Sequence, residues 1–361
     1  VSTAYFNSDT LLGGADILQD IWPLQNEEAD ETEIAAIRDD LQGLPAEVVI
    51  PQAAARLAHV PAPSQRILIE VLAARRARDS LGYVLALSRS ENAELRKTAL
   101  TALEKLVSAQ DGDRILELLL STQRRGEIPL IQDALVAAAL QVPDPELRSA
   151  RILEVYEDVP PDKRPDLLRA LARIGGDAAF RLVVHEIRNP DHSRIRAAAV
   201  YALTQWPDMQ ATDELLNLCR SEDHRRYLFQ ALQGYVRLVR DAELPNDTKV
   251  AKLEELLPLP LGTQEKNAIV AALGSVKSVE GLAFASRFLE DPKVRGRAAR
   301  TMQRIALPEP GSEGLFEPEV ASYLRRAQVF IRDEFELQSI ESQIAKIMIK
   351  EGFVPLFNGR D

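Results

Sequence analysis

The sequence predicts an all-α protein, a right-handed α-solenoid of about eight HEAT-like helical pairs with capping helices, and three observations lead to that prediction. A short turn followed by an amphipathic helix recurs along the chain at a mean interval of about 33 residues. Hydrophobic residues make up 46% of the chain but aromatic residues only 5%, which is more typical of packed helices than of a β-sandwich. Most prolines fall between the predicted helices, where a missing N–H is tolerated.

The clearest copy of the repeated unit runs from Asp291 to Ile305, with an Asp-Pro pair as its turn. Val294, Ala298, Met302 and Ile305 follow at helical spacing and form one apolar face. Such a unit cannot bury its apolar face alone, so we expect it to stack on neighbouring units.

Copies at 91–107 (ENAELRKTALTALEKLV) and 189–206 (NPDHSRIRAAAVYALTQW) repeat this design. The alanines allow the helices of one pair, and adjacent pairs, to approach closely. A central apolar residue on the second helix of each pair defines the register. We place it at Leu72, Leu103, Leu140, Leu171, Leu203, Leu232, Leu273 and Met302.

The chain divides into five predicted parts. They are 1–45, an N-terminal segment and cap; 46–307, the solenoid; 308–318, a linker; 319–350, C-terminal helices; and 351–361, the start of a following domain absent from this chain. The cap holds a short helix at Asp16–Trp22, an acidic stretch at Gln25–Thr32 and a helix at Glu33–Leu41.

Each pair of the solenoid has a first and a second helix. The first helices are predicted at Ala46–Ala58, Ser80–Ser88, Asp113–Thr122, Glu146–Glu157, Asp177–Arg188, Thr212–Arg220, Asp247–Leu257 and Ser278–Glu290. The second helices are predicted at Ser64–Ala77, Asn92–Ser108, Ile128–Gln141, Lys163–Gly175, Ser193–Trp206, Asp223–Arg240, Gln264–Ser275 and Lys293–Ala306.

Turn and cap residues refine these boundaries. Thr212 and Thr263 precede apolar-periodic runs and are predicted N-caps. Gly175 follows a helix and is a predicted C-cap. Pro51 breaks its predicted helix, which suggests that this helix starts there. Beyond the linker, the apolar stripe slips by one residue, so we expect two helices or one helix kinked near Glu334.

The repeated unit resembles bacterial HEAT repeats over about Ala46–Leu307. The family pattern is Asp/Asn-Pro, a Val/Ile-Arg pair, alanines with Ala-Leu, and Ile-Gly. It is matched here by Asp291-Pro292, Asn189-Pro190, Val294-Arg295, Ile195-Arg196, Leu95-Arg96, Ala170-Leu171 and Ile174-Gly175. The copy at Ile128–Val142 lacks the Arg, and Trp206 replaces the usual Gly. Armadillo-like stacking is therefore an alternative interpretation.

The last ten residues, Gly352 to Asp361 (GFVPLFNGRD), resemble the opening of the 3-keto-disaccharide hydrolase family, a jelly-roll sugar-acting domain. Sequences of that family often begin with Gly-Phe, Leu-Phe-Asn-Gly and Lys/Arg-Asp, followed by Leu and Gly-Trp. The resemblance implies that this chain is the N-terminal part of a bacterial cell-envelope protein, periplasmic or secreted. It carries no catalytic residue of that family onto this chain.

Charge and composition limit the classes of partner. The formal net charge is −11, and this overall field would repel a phosphate backbone, which makes a nucleic-acid-binding HEAT protein the least favoured interpretation. The sequence lacks an apolar run long enough to cross a membrane. The single cysteine, Cys219, lies in an apolar run and is expected to be buried and unreactive.

The sequence holds no recognised catalytic, cofactor-binding or metal-binding motif, so we predict no such residue. The four histidines lack a metal-ligand spacing, and adjacent carboxylates such as Glu254 and Glu255 point about 100° apart on a helix. Surface or turn histidines and a solvated acidic face are the favoured interpretations.

Basic residues on the second helices form the candidate interaction surface. It comprises Lys293, Arg297, Arg300, Arg304, Arg169 and Arg173, with Arg75, Arg76, Arg78, Arg225 and Arg226 as extensions. Such a strip can hold an acidic peptide, an anionic glycan or nucleic acid; the alternative is that each Arg pairs with a nearby carboxylate. We predict a non-catalytic scaffold that binds a protein partner or positions the following sugar-acting domain. The alternative is an accessory part of an enzyme that hydrolyses 3-keto glycosides.

Overall fold

The computed structural model describes residues 31–189, 192–309 and 313–352. Within these ranges the protein is all-α: it contains nineteen α-helices, and no β-strand occurs there. The all-α prediction is therefore confirmed. The chain divides into two compact units, Val1–Ala199 and Val200–Asp361, and each is described by itself.

The first unit contains ten complete helices, counted over the part of it that the structure describes. They are α1 Glu31–Gly43, α2 Ala46–Arg56, α3 Ala62–Ala74, α4 Leu81–Leu87, α5 Ala93–Leu106, α6 Gly112–Ser121, α7 Ile128–Leu140, α8 Ala150–Val155, α9 Arg164–Ile174 and α10 Asp177–Arg188. Helix α11, Ser193–Thr204, continues from the first unit into the second.

The second unit contains the remaining eight described helices. They are α12 Thr212–Arg220, α13 Leu228–Asp241, α14 Asn246–Glu254, α15 Thr263–Leu273, α16 Val279–Ser286, α17 Arg295–Ala306, α18 Pro318–Gln328 and α19 Glu334–Lys350.

Helices pack against their sequence neighbours in a regular order. In the first unit α2 packs on α3, α4 on α5 and α6 on α7, while α3 packs on α5, α5 on α7 and α7 on α9. In the second unit α12 packs on α13 and α16 on α17, while α13, α15 and α17 form the corresponding row. Each unit therefore contains a row of second helices, packed side by side.

The apolar stripe of the second helices forms the core. Leu72, Leu103 and Leu171 in the first unit, and Leu203 and Leu273 in the second, are fully buried. Leu232 and Met302 are fully buried as well. The predicted register is therefore confirmed at these seven positions.

Leu140 is the exception: its side chain is 46% exposed, so the predicted register is wrong on α7. The buried core positions that precede it on α7 include Leu135, Val136 and Ala138. Helix α7 has the sequence IPLIQDALVAAAL, with apolar residues on nearly every side. A helical period cannot identify the buried face of such a helix.

The arginine of the repeated unit fastens its helix to the preceding turn. Arg96 is 8% exposed, and its guanidinium donates hydrogen bonds to the Ser90 carbonyl (2.6 Å) and the Glu127 carboxylate (2.6 Å). Arg196 donates in the same way to the carbonyl of Asn189 at 2.6 Å. These charge-assisted bonds tie the helix to turn carbonyls, so the recurring arginine has a structural role.

Pro51 lies inside α2, so the prediction that this helix starts at Pro51 is wrong. Proline lacks the N–H that would bond to the carbonyl four residues earlier. Val49 and Ala53 on either side are fully buried, and their packing keeps the helix continuous across the proline.

Several predicted helices are shorter than expected, because 3-10 turns replace their ends. The predicted helix Glu146–Glu157 is a 3-10 turn at Pro145–Leu147 followed by α8. The predicted helix Asp223–Arg240 begins only at Leu228, after a 3-10 turn. The α-helical part of Ser278–Glu290 ends at Ser286.

The predicted caps have mixed outcomes. Gly175 is the C-cap of α9 with φ of 79°, as predicted, and this left-handed conformation favours glycine. Thr212 and Thr263 are first helical residues rather than N-caps, which are Ala211 and Gly262. The Thr212 hydroxyl instead donates to the Met209 carbonyl at 2.7 Å.

The C-terminal region contains two helices, α18 and α19, which pack on each other. Asp333 is the N-cap of α19 and accepts a hydrogen bond from the Glu336 N–H at 2.9 Å. Because α19 begins with its own N-cap, α18 and α19 are two helices, and the alternative of one kinked helix is wrong. The predicted helix Asp16–Trp22 and all but the first residue of Gly352–Asp361 lie outside the described residues.

Candidate interaction surface on helix α17

Helix α17 has two faces of opposite character. Ala298, Met302 and Ile305 are buried, whereas Arg297, Arg300 and Arg304 are exposed. The arginines follow at intervals of three and four residues, so they share one face. The sequence pattern therefore places the three guanidinium groups together because the apolar stripe fixes the orientation of the helix.

A cavity of about 380 Å³ lies between α15 and α17. Its lining residues are Ala271 of α15 and Arg297, Arg300, Thr301 and Arg304 of α17. We call it the α17 groove. Among its described lining residues there are three arginines and no carboxylate, so its charge has a single sign.

The three arginines differ in how they are held. The Nε of Arg300 lies 3.5 Å from the Glu336 carboxylate of α19, and the Arg300 side chain is 63% exposed. Arg297 and Arg304 have no ion-pair partner within the ranges that the structure describes. A contact as exposed as that of Arg300 is weak, so Arg300 is loosely held. The carboxylate nearest in effect to Arg304 is that of Glu309, whose pKa is lowered mainly by the Lys277 hydrogen bond and also by the charge of Arg304.

The Arg304 guanidinium lies against the backbone of Gly274. A Cβ atom built at Gly274, the C-cap residue of α15, would lie 2.9 Å from Nη1 of Arg304. The absence of a side chain there leaves room for the guanidinium. A cation at this end of α15 is also favoured by the partial negative charge of a helix C-terminus.

Lys293 does not line the groove. It precedes α17, in the turn, and its backbone N–H donates to the Asp291 carboxylate at 3.0 Å. Asp291 also accepts a hydrogen bond from Lys266 Nζ at 2.7 Å, which is the main reason that its pKa lies below the ordinary value. Lys293 therefore belongs to the hydrogen-bonded turn that precedes α17, not to the groove.

Arg169 and Arg173 belong to the first unit, and both are paired with carboxylates. Arg173 Nη1 lies 2.6 Å from Asp133 Oδ1, and Arg169 Nη1 lies 3.5 Å from Asp166 Oδ1. These two residues therefore agree with the alternative interpretation, in which each Arg pairs with a nearby carboxylate.

Most of the remaining candidate arginines also have structural contacts. Arg75 donates to the carbonyls of Gln42 and Leu44, and Arg78 donates to the Gln141 side chain at 2.8 Å. In the second unit, Arg225 lies 3.6 Å from Glu222, and the Arg226 guanidinium stacks 4.6 Å from the Tyr227 ring centre.

A second groove, which we did not predict from the sequence, lies on the second-helix row of the first unit. We call it the α5 groove, and its volume is about 530 Å³. Its charged lining residues are Arg38, Arg66, Lys97, Lys105, Asp39, Glu70 and Glu94. Arg38 contacts both Asp39 (3.2 Å) and Glu70 (3.7 Å). The exposed lysines on α5, eight residues apart, were the only sequence signal for this groove.

The potentially reactive side chains of Cys219, Tyr156 and Glu186 are buried. Cys219 is 6% exposed, and burial raises the pKa of its thiol to about 12, so the thiol stays protonated at neutral pH. Tyr156 and Glu186 are 1% and 2% exposed; burial, followed by the neighbouring Glu186 carboxylate, raises the pKa of Tyr156. A substrate in solvent does not reach any of these groups.

Within the residues that the structure covers, no group of three or more His, Cys, Asp or Glu side chains is placed to hold a metal ion. None of the helices in the same ranges is both long and apolar enough to cross a bilayer. No protein-family model matches the chain, and no curated protein matches it.

Proposed function

We propose that this chain is a non-catalytic helical-repeat scaffold that binds a partner protein along its second helices. In this proposal the eight or so HEAT-like pairs form a right-handed α-solenoid, with capping helices at its ends. The observation that carries the proposal is the row of second helices in each unit, where α3, α5, α7 and α9, or α13, α15 and α17, pack side by side.

The row favours a binding role for a physical reason. Helices α5 and α17 bury their apolar stripes and leave exposed charged residues on the row, whereas α7 between α5 and α9 is apolar on nearly all sides. Repeat proteins bind partners on extended surfaces made in this way. Both grooves described above lie on these rows, one in each unit.

Small-angle scattering tests the solenoid. A compact domain of 361 residues has a radius of gyration of about 21 Å. A solenoid of stacked pairs is longer than it is wide, so we expect a clearly larger radius and an elongated distance distribution. A radius near that of a compact domain would contradict the proposal.

An activity assay tests the absence of catalysis. The chain is incubated with 3-keto glycosides, and we expect no turnover above the buffer rate. Turnover that persists after repeated purification would favour the enzymatic alternative.

A second proposal, the link to a sugar-acting domain, is carried by the sequence resemblance of Gly352–Asp361 alone. Any residues that follow Asp361 in the parent gene product test it: a continuation with Leu and then Gly-Trp supports the link. A different continuation would leave the scaffold proposal intact and remove the sugar connection.

A further inference from the structure

We infer that the α17 groove binds an acid-rich, extended peptide segment of the partner protein. This inference rests on the proposed function, because it names the chemistry of the partner that one part of the second-helix row would take.

The spacing of the guanidinium groups fits such a segment. Arg297 and Arg304 are seven residues apart on one helix, which corresponds to about 10 Å along its axis. A peptide in the extended polyproline II conformation has three residues per turn and advances about 3.1 Å per residue, so carboxylates three residues apart lie on one side and would reach both arginines. The planar guanidinium can donate two parallel hydrogen bonds to a carboxylate, which gives such contacts direction as well as charge.

The arginines are available to a ligand. Arg297 and Arg304 have no ion-pair partner in the described part of the chain, and the lack of a side chain at Gly274 leaves room for the Arg304 guanidinium. Arg300 contacts Glu336 at 3.5 Å in a solvent-exposed position. An incoming carboxylate can replace such a contact at little cost, because exposed ion pairs contribute little to stability.

The charge of the whole chain favours a short acidic segment over a nucleic acid. The net charge of −11 disfavours the approach of a long polyphosphate to the chain as a whole. A segment with a few carboxylates interacts mainly with the nearest charges of the protein, because physiological salt screens electrostatic interactions beyond about 8 Å. Ala271 and Thr301 complete the lining with small side chains, which leave room for a peptide backbone.

Fluorescence anisotropy with a labelled octaglutamate peptide tests the inference on the full chain. The test variant is Arg297→Glu with Arg304→Glu, and the matched control is Lys97→Glu with Lys105→Glu in the α5 groove, which changes the net charge equally. We expect the test variant to weaken binding about tenfold or more and the control by less than about twofold. Binding of the native chain should also weaken as salt is raised.

A second variant, Arg297→Gln with Arg304→Gln, separates loss of the site from loss of the fold. It should melt with the native chain and still lose most of the octaglutamate binding. Equal effects of the α17 and α5 variants, or no binding by the native chain, would overturn the inference. Tighter binding of duplex DNA than of octaglutamate, lost in the α17 variant, would assign the groove to phosphate backbones instead.

These outcomes are distinct from those of the proposed function. An elongated scattering profile with no peptide binding leaves the scaffold standing and removes only the assignment of the groove. A compact profile removes the solenoid, whatever the peptide measurement gives.

Discussion

The α17 groove and the α5 groove lie on comparable rows of second helices, yet they differ in charge. The α5 groove is lined by four basic and three acidic side chains, and Arg38 contacts two of the carboxylates. The described lining of the α17 groove holds three arginines, and its one ion pair reaches outside the groove, to Glu336. The same packing thus supports a mixed surface in one unit and a cationic surface in the other.

This difference separates two uses of arginine in one chain. Arg96, on α5, is buried and bonds to a turn carbonyl and to Glu127, so its position is set by the fold. Arg297, on α17, is exposed and has no described ion-pair partner, so the fold does not require its charge. Arginines of the second kind are the ones to assign to binding.

The largest expected effects come from the core beneath both grooves. Leu103→Ala in α5 and Leu273→Ala in α15 should each lower the free energy of unfolding by about 2–5 kcal/mol, because both side chains are fully buried. Leu140→Ala is the matched control and should cost less than about 1 kcal/mol, since Leu140 is 46% exposed. Denaturant unfolding measures the free energy of unfolding of all three variants. A loss at Leu140 equal to that at Leu103 would show that Leu140 is a core position, as the sequence predicted.

Substitution of the two kinds of arginine should change the stability of the protein by different amounts. Arg96→Met removes charged hydrogen bonds to the Ser90 carbonyl and the Glu127 carboxylate, and should cost about 1.5–3 kcal/mol. Arg297→Met should change the free energy of unfolding by about 0.5 kcal/mol or less. The same denaturation experiment checks both, and a large cost at Arg297 would show that its charge stabilises the fold.

Substitutions of glycine by alanine should change stability by smaller amounts and test how closely the helices pack. A Cβ at Gly82 in α4 or at Gly296 in α17 meets no atom within 4 Å, so Gly82→Ala and Gly296→Ala should each stabilise by about 0.4–1 kcal/mol. A Cβ at Gly234 in α13 would lie 2.9 Å from Thr204 Cα of α11, so Gly234→Ala should destabilise instead. Thermal melts of the three variants measure the sign, and a stabilising Gly234→Ala would contradict the close approach of α11 and α13.

The smallest effects concern pH, and two aspartates should respond in opposite directions. Burial raises the pKa of Asp166 above its ordinary value, so its contribution is most favourable below about pH 3.8 and declines as pH rises through the raised pKa. The hydrogen bond from Lys266 lowers the pKa of Asp291, so its stabilising contribution is fully present above the ordinary value of about 3.8 and is lost as pH falls through the lowered pKa.

Melting temperatures between about pH 3 and about pH 7 measure this contrast. Relative to the native chain, Asp166→Asn should gain stability as pH rises, and Asp291→Asn should lose it. The two variants compare one acid in each unit, and parallel pH profiles would show that the two environments do not differ.

The sequence predicted the helices well where their two faces differ in polarity. Helix α17 has a narrow apolar stripe opposite its arginines, and both its core residue Met302 and its exposed arginines were predicted. Helix α7 is apolar on nearly all sides, so periodicity alone placed Leu140 in the core. Pro51 misled the prediction because tertiary packing of its neighbours outweighed a local signal.

The candidate site was predicted only in part, because charge spacing along one helix does not reveal partners on another. The arginines of α17 were found from their spacing, but nothing in the spacing distinguishes them from Arg173, whose partner Asp133 is 40 residues away in the chain. The α5 groove combines α1, α3 and α5, and no short stretch of sequence contains it.

The packing of each helix on its near neighbours in sequence has a consequence for how the chain folds and unfolds. Contacts between elements close in sequence form with little loss of loop entropy, so folding should be fast for a chain of this length and can begin at more than one hairpin. Under a pulling force applied to its two ends, the same locality predicts stepwise extension, with one hairpin released at a time.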